Sequence, residues 1–245
     1  MFLSGTLLNV FTVLLGTTVG LLIGARMPPR MQEILTDVLG LFTLAIGLAL
    51  TLGYLLDSEL ATGNDLAVLL GLLVGAAIGE LLRISDRLDD LGNWFQRRLA
   101  RGDQPSRISE GFVTASLVFC VGPLTILGSI QNGLTGDMQL LAVKSLLDGV
   151  ASIAFAAALG AGVYLSALAI LVIQGSIATG AWLLGAGIEE SLIGAAGAAG
   201  GLMLVGIGLR LLEIRRIRVA NLLPGLLLAP LAVLVAGATR QLLPQ

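Results

Sequence analysis

Two ionisable side chains, Lys144 and Asp148, stand inside the apolar run LLAVKSLLDGVASIAFAAAL. Their i, i+4 spacing places both on one face of a helix. Ser145 and Ser152 lie close by in the same run. Asp148 is about ten residues from either end of the stretch 138–159, so a helix there would hold it near a membrane midplane. A charge at that depth costs roughly 2.5–3.5 kcal/mol on insertion scales. Pairing with Lys144 lowers the cost, and facing a cavity lowers it further. The chemistry expected of such a pair is binding of a proton or cation at Asp148. Lys144 would then tune the carboxylate or neutralise it in one state. The structural alternative is a buried ion pair that locks a helix bundle together.

The preceding stretch supplies a partner for the pair. It reads GFVTASLVFCVGPLTILGSIQNGLTGD, with Gly122-Pro123 near its middle. Proline removes a backbone hydrogen bond and clashes with the previous turn, so this helix is expected to break. A broken helix at membrane depth is tolerated where it lines a cavity, and its free N–H and C=O groups serve as ligands. Gly128, Ser129, Gln131 and Asn132 follow the break. The expected transport or ion site therefore comprises Lys144, Asp148, Gln131, Asn132, Ser129 and Gln174, with the last from ILVIQGSIATG. Asn9, Asn221 and Ser145 are further candidates for its lining. Asn221 opens NLLPGLLLAP, where Pro224 and Pro230 mark a second irregular helix. Cys120 reads as a small packing residue.

Composition excludes several functions. With no histidine and one cysteine, imidazole bases, histidine metal sites and intrachain disulfides are impossible. No GxxxxGK[ST] or CxxC occurs, and no second midplane acid completes an aspartyl dyad. The chain reads as a non-enzyme with no cofactor or metal. A net charge of −2 argues against a nucleic-acid partner. Hydrophobic residues make up 56% and charged residues 12%, against roughly 25% charged in soluble proteins. Mean hydropathy is +0.96. These values specify an all-α, polytopic membrane protein, a single integral domain over 1–245.

A spanning helix needs about 20 apolar residues. Eight stretches qualify: 4–24, 34–56, 66–84, 111–133, 138–159, 163–185, 191–211 and 219–239. The first lacks a basic n-region and is followed by Arg26, so it reads as a mature span rather than a signal peptide. With eight spans, twelve of the fourteen basic residues fall on one side: Arg26, Arg30, six between Arg83 and Arg107, and four between Arg210 and Arg218. The other side carries Asp57, Glu59, Asp65, Asp137, Glu189, Glu190 and Arg240. By the positive-inside rule the arginine side is cytoplasmic, so both termini lie outside a bacterial inner membrane. The segment 85–107 reads as a cytoplasmic interfacial helix, with Leu88, Leu91, Trp94, Phe95 and Leu99 on one face.

Gly16, Gly20 and Gly24, and likewise Gly71, Gly75 and Gly79, form GxxxGxxxG grooves suited to close helix contact. Such grooves also suit a homodimer. Span two contains GLFTLAIGLAL and span seven GLMLVGIGLRL, with six of eleven positions identical. Spans 1–3 would then recur as 6–8 in inverted orientation around the broken span 4. Glu80, Asp37 and Glu110 read as anchors or caps at span ends.

The ordered features resemble the domain of unknown function 554 family, the YqgA/YdfK-like bacterial inner-membrane proteins. The residues that carry the likeness are GTLLN (5–9), the span-two glycine motif, LVFCVGPLTILGSIQNGLTGD (117–137), LAVKSLLDG (141–149), IQGSI (173–177) and VANLLPGLLLAP (219–230). The resemblance covers nearly the whole chain. It implies a small polytopic membrane protein of transporter type and brings no substrate or mechanism with it. The leading expectation is a secondary transporter or ion-coupled carrier of a small solute, with proton or cation coupling. The alternatives are a non-transporting scaffold or partner subunit, and a passive channel.

Overall fold

The computed structural model describes residues 2–57, 64–87, 90, 108–120, 123–184 and 189–242. Among them the chain is all-helical, with nine α-helices and no strand. They are α1 (Ser4–Gly24), α2 (Pro29–Leu56), α3 (Asp65–Leu81), α4 (Ile108–Cys120), α5 (Pro123–Thr135), α6 (Gln139–Leu159), α7 (Val163–Leu184), α8 (Glu190–Leu211) and α9 (Gly225–Leu242). Two 3₁₀ turns, Gly160–Gly162 and Val219–Leu222, precede α7 and α9. Most of the expected interfacial segment 85–107 lies outside the described residues.

Among the described residues, five stretches are long and apolar enough to cross a bilayer: Ser4–Gly24, Pro29–Leu56, Gln139–Leu183, Ser191–Leu211 and Val219–Thr239. A sixth forms if α4 and α5 count as one span bent by 61°. α3 is slightly short, at 17 residues. The 45-residue stretch Gln139–Leu183 would run about 67 Å if straight, twice the ~30 Å hydrocarbon core. It folds back instead. Gly160 adopts φ +81° at the end of α6, a backbone state that side chains exclude. Two boundaries differ from expectation. α2 starts at Pro29, whose fixed φ suits a first helical position. Asp37 therefore lies two turns into α2 and does not cap it. The last span divides at Pro224 into a 3₁₀ turn and α9.

Contacts group the chain into two compact units. The first comprises Met1–Phe42 with Leu88–Gly187. In it α1 lies along α6 in parallel. Gly5 faces Leu141, Gly16 faces Gly149 and Ser152, Gly20 faces Ile153 and Ala156, and Gly24 faces Ala157. α7 runs the opposite way along α1. Phe2 stacks on Trp182 with ring centroids 4.9 Å apart, and the Thr18 and Tyr164 hydroxyls lie 2.8 Å apart. α6 and α7 are therefore an antiparallel hairpin. α4 begins beside its turn, with the Ile108 carbonyl against Gly162, and α5 ends with Gly133 against Ala178. The broken pair thus runs the full length of the hairpin.

The second unit comprises Thr43–Arg87 with Ile188–Gln245. Here the end of α2 packs antiparallel on α8, with Gly47 against Gly201 and the Thr51 hydroxyl near the Ala198 carbonyl. α3 packs antiparallel on α9. Gly71 faces Ala229, Gly75 faces Gly225 and Gly79 faces the Asn221 backbone. Both glycine grooves are thus filled by helices of the same chain, which removes them as free surfaces for a homodimer.

The outer faces are apolar. Leu7, Phe11, Leu15 and Leu22 of α1, and Val143, Leu146, Leu147 and Val150 of α6, are all exposed. Lipid is as apolar as leucine, so helix contact here depends on close backbone packing. Gly53 and Gly180 lack any such contact, since a Cβ at either would meet nothing within 4 Å. Gly53→Ala and Gly180→Ala are therefore expected to raise stability by about 0.4–1 kcal/mol each, seen as higher melting temperatures in detergent. A loss at either position would contradict the lipid-facing placement.

Candidate functional site

The first unit gathers most of the expected site residues in its interior. Lys144 and Asp148 are 6% and 7% exposed. Lys144 Nζ donates to Asp148 Oδ2 at 2.5 Å. The same oxygen accepts a hydrogen bond from Asn9 Nδ2 at 2.9 Å. The partnership of Asn9 and Asp148 follows from the glycine contacts that bring α1 against α6. Cys120, at the end of α4, is a buried free thiol.

The broken span sits close to this triad. Gly128 packs on Leu140 and Leu141, about one turn from Lys144. Ser129, the next residue, is fully buried and its hydroxyl has no hydrogen-bond partner. One turn further out, Asn132 Oδ1 accepts from the Gly5 N–H at 3.2 Å, and its Nδ2 donates to Ser4 Oγ. Asn132 thus ties α5 to the start of α1. Gly122 lies outside the described residues, and α5 begins at Pro123. The Thr125 hydroxyl donates to the Phe119 carbonyl at 3.1 Å across the break. That bond satisfies one carbonyl which the proline leaves unpaired. Thr125→Val keeps the shape and buries the carbonyl unsatisfied. It is expected to cost about 1–3 kcal/mol, measured as unfolding free energy in detergent.

Gln174 is fully buried in α7, and neither its amide nitrogen nor its oxygen has a partner. The contacts Phe2–Trp182 and Thr18–Tyr164 bracket it. Antiparallel register between them sets Gln174 at about the level of Asn9. Asn9 Oδ1 and the Thr6 hydroxyl, one turn apart on α1, are also buried without partners. The result is a polar layer built from α1, α5, α6 and α7, with one ion pair and several orphaned polar atoms. Such atoms are rare in folded interiors, because each costs free energy comparable to a lost hydrogen bond.

Three expected members do other work. Gln131 donates through Nε2 to Asp137 Oδ2 at 2.8 Å, beyond the end of α5. It faces the terminal turn because it is one helical position from the buried Asn132. Ser145 donates to the Leu141 carbonyl of its own helix. Asn221 belongs to the second unit. Its Nδ2 donates to Glu80 Oε2 at 2.6 Å, and its Oδ1 accepts from the Ser85 N–H at 2.7 Å. Arg218 pairs with the other Glu80 oxygen at 2.7 Å. Glu80 is thus the centre of a cluster rather than a lone anchor. Thr6 and Thr125 were missed in the sequence, although signals existed. Thr6 is three residues from Asn9, on the same face, and Thr125 is two residues past the break-inducing proline.

Residues 4–234 match a family described as "Protein of unknown function (DUF554)". The chain is 30% identical over 234 residues to the "Uncharacterized membrane protein YdfK" of Bacillus subtilis, covering 96% of this chain and 97% of that protein. It is 32% identical over 229 residues to the "Uncharacterized protein YqgA" of Escherichia coli, covering 92% and 94% respectively. No solved structure matches.

Proposed function

The chain belongs to the DUF554 family, and for this member we propose a secondary transporter or ion-coupled carrier of a small solute. The observation that carries the reading is the buried Asn9–Asp148–Lys144 cluster beside a broken helix, with unpartnered polar atoms at Ser129, Thr6 and Gln174. A carrier needs a midplane site that alternately meets each side. An intramembrane ion pair with orphaned neighbours is the expected form of that site. The scaffold reading has weaker support. Lys144 and Asp148 lie on one helix, so their salt bridge ties no two helices together. Within the Asn9–Asp148–Lys144 cluster, the Asn9–Asp148 hydrogen bond is the contact that crosses between helices.

The proposed topology has eight crossings, formed by α1, α2, α3, the α4–α5 pair, α6, α7, α8 and α9. Both termini lie outside the inner membrane. What supports it is helix direction within each unit. α1 and α6 run parallel and α7 antiparallel, while α2 with α8 and α3 with α9 are antiparallel, as alternating crossings require. The same contacts support an inverted repeat. In each of the three matched span pairs (1 with 6, 2 with 7, 3 with 8) the partners run in opposite directions. In the second pair the like segments meet at Gly47 and Gly201.

Reconstitution into proteoliposomes tests the carrier reading. Under imposed ion gradients, wild-type protein is expected to move a small solute or ion with saturation. Asp148→Asn is expected to fold and to fall to the protein-free level. Absence of any flux from folded wild-type protein across proton, alkali-cation and solute gradients would overturn it.

A further inference from the structure

Resting on the carrier reading, we propose that the carried solute is a small uncharged molecule with an amide or urea group, held by Gln174 together with Ser129, Thr6 and Asn9. Helix register brings these residues to one level. The α4–α5 pair runs in the same direction as α7, from Ile108 beside Gly162 to Gly133 beside Ala178. One turn back from that last contact, Ser129 and Gln174 stand at the same height. On its other side Gln174 is level with Asn9, and Thr6 is one turn from Asn9. All four side chains are fully buried. Among the described residues of the first unit, seven buried side-chain atoms have no hydrogen-bond partner, and five of them belong to these four residues.

Gln174 decides the chemistry. Both ends of its amide are unpartnered. Nε2 only donates and Oε1 only accepts. A ligand that satisfies both at once presents an acceptor and a donor on one edge, as the C=O and N–H of a primary amide or urea do. Two such edges meet through a pair of hydrogen bonds of about 2.9 Å. A single hydroxyl reaches only one of the two atoms. The neighbours extend the match. Asn9 Oδ1 accepts, so it takes a further N–H, while the Thr6 and Ser129 hydroxyls each donate or accept.

The surroundings disfavour a charged solute. α1, α5 and α7 carry no Asp, Glu, Lys or Arg. Lys144 and Asp148 are bonded to each other, and Asp148 also to Asn9. They cancel, and neither is free to offset a charge on the solute. A net charge left at this depth is costly. A zwitterion would have to part the pair. An uncharged amide instead exchanges its hydrogen bonds to water for bonds to the five orphaned atoms.

Uptake into proteoliposomes made with the full-length chain tests the proposal. Labelled urea and acetamide are compared at millimolar concentration with guanidinium and acetate, which have nearly the same shapes but carry charge, and with glycine and glycerol. Urea and acetamide are expected to enter with saturation and to compete with each other. The other four are expected to enter at the protein-free rate. Gln174→Met removes both orphaned amide atoms at similar volume. It is expected to melt no lower than wild type and to lose urea uptake at least tenfold, whereas a packing role alone would lower melting and spare uptake. Ser129→Ala, which removes one hydroxyl, is expected to raise the KM for urea about fivefold. The proposal falls if neither amide enters with saturation, or if any of the other four enters as fast as urea. It also falls if folded Gln174→Met, or Ser129→Ala should Gln174→Met fail to fold, carries urea as wild type does. Saturable flux of another solute or ion with none of either amide would keep the carrier and overturn this assignment. Saturable urea binding in equilibrium dialysis of the detergent-solubilised chain, abolished by Gln174→Met but without flux, would keep the site and overturn the carrier.

Discussion

Asp148→Leu is expected to lower stability by about 3–5 kcal/mol, because it leaves the Lys144 ammonium buried without its counter-charge. The pair is 6% and 7% exposed, so water cannot take over the role of the carboxylate. Replacing both members, as Lys144→Met with Asp148→Leu, removes the uncompensated charge. Buried ion pairs exchanged for apolar residues of similar volume are often neutral in stability. Asn9 then loses its acceptor, so recovery is expected to stop about 1 kcal/mol short of wild type. The measurement is a double-mutant cycle of unfolding in detergent, read alongside flux. A double variant that recovers to within about 1 kcal/mol of wild type and is devoid of flux separates the functional role of the pair from any structural one. A double variant as unstable as Asp148→Leu alone would mean that the loss does not come from the uncompensated Lys144 charge.

Gly20→Leu is expected to be as damaging through packing alone. A Cβ at Gly20 would already strike the Ile153 carbonyl and the Ala156 side chain. Backbone cannot rotate away as a flexible side chain can. The cost is expected to be about 3 kcal/mol or more, at the upper end for overpacking. Separation of α1 from α6 would also break the Asn9–Asp148 hydrogen bond and with it the site. Lower melting temperature, lower yield and loss of flux should therefore appear together. Gly180→Ala is the matched control, because its Cβ meets nothing. Wild-type melting behaviour in Gly20→Leu would refute the parallel packing of α1 on α6.

Much of the site was legible in the sequence because its signals are local. The i, i+4 spacing of Lys144 and Asp148 fixes their shared face whatever surrounds the helix. Pro123 ends one helix and starts another because it lacks an N–H, and α4 and α5 meet there at 61°. Ser129, Asn132 and Gln174 are polar residues in apolar runs, and all three are fully buried. Gln131 shows the limit of this reading. It neighbours Asn132 in sequence, yet 100° of helical rotation turns it toward Asp137.

The sequence by itself determined the all-helical membrane class, the ion pair and the helix break. Each follows from residue type, period or charge within about one helix length. Only the tertiary structure decided which helix fills each glycine groove. It also decided that Asn9 reaches Asp148 across 139 positions and that Asn221 serves Glu80 in the second unit. A glycine groove specifies that some backbone will approach closely, but not whose. That choice depends on which helices the chain's path makes neighbours, and in lipid no difference in apolarity between faces selects the partner.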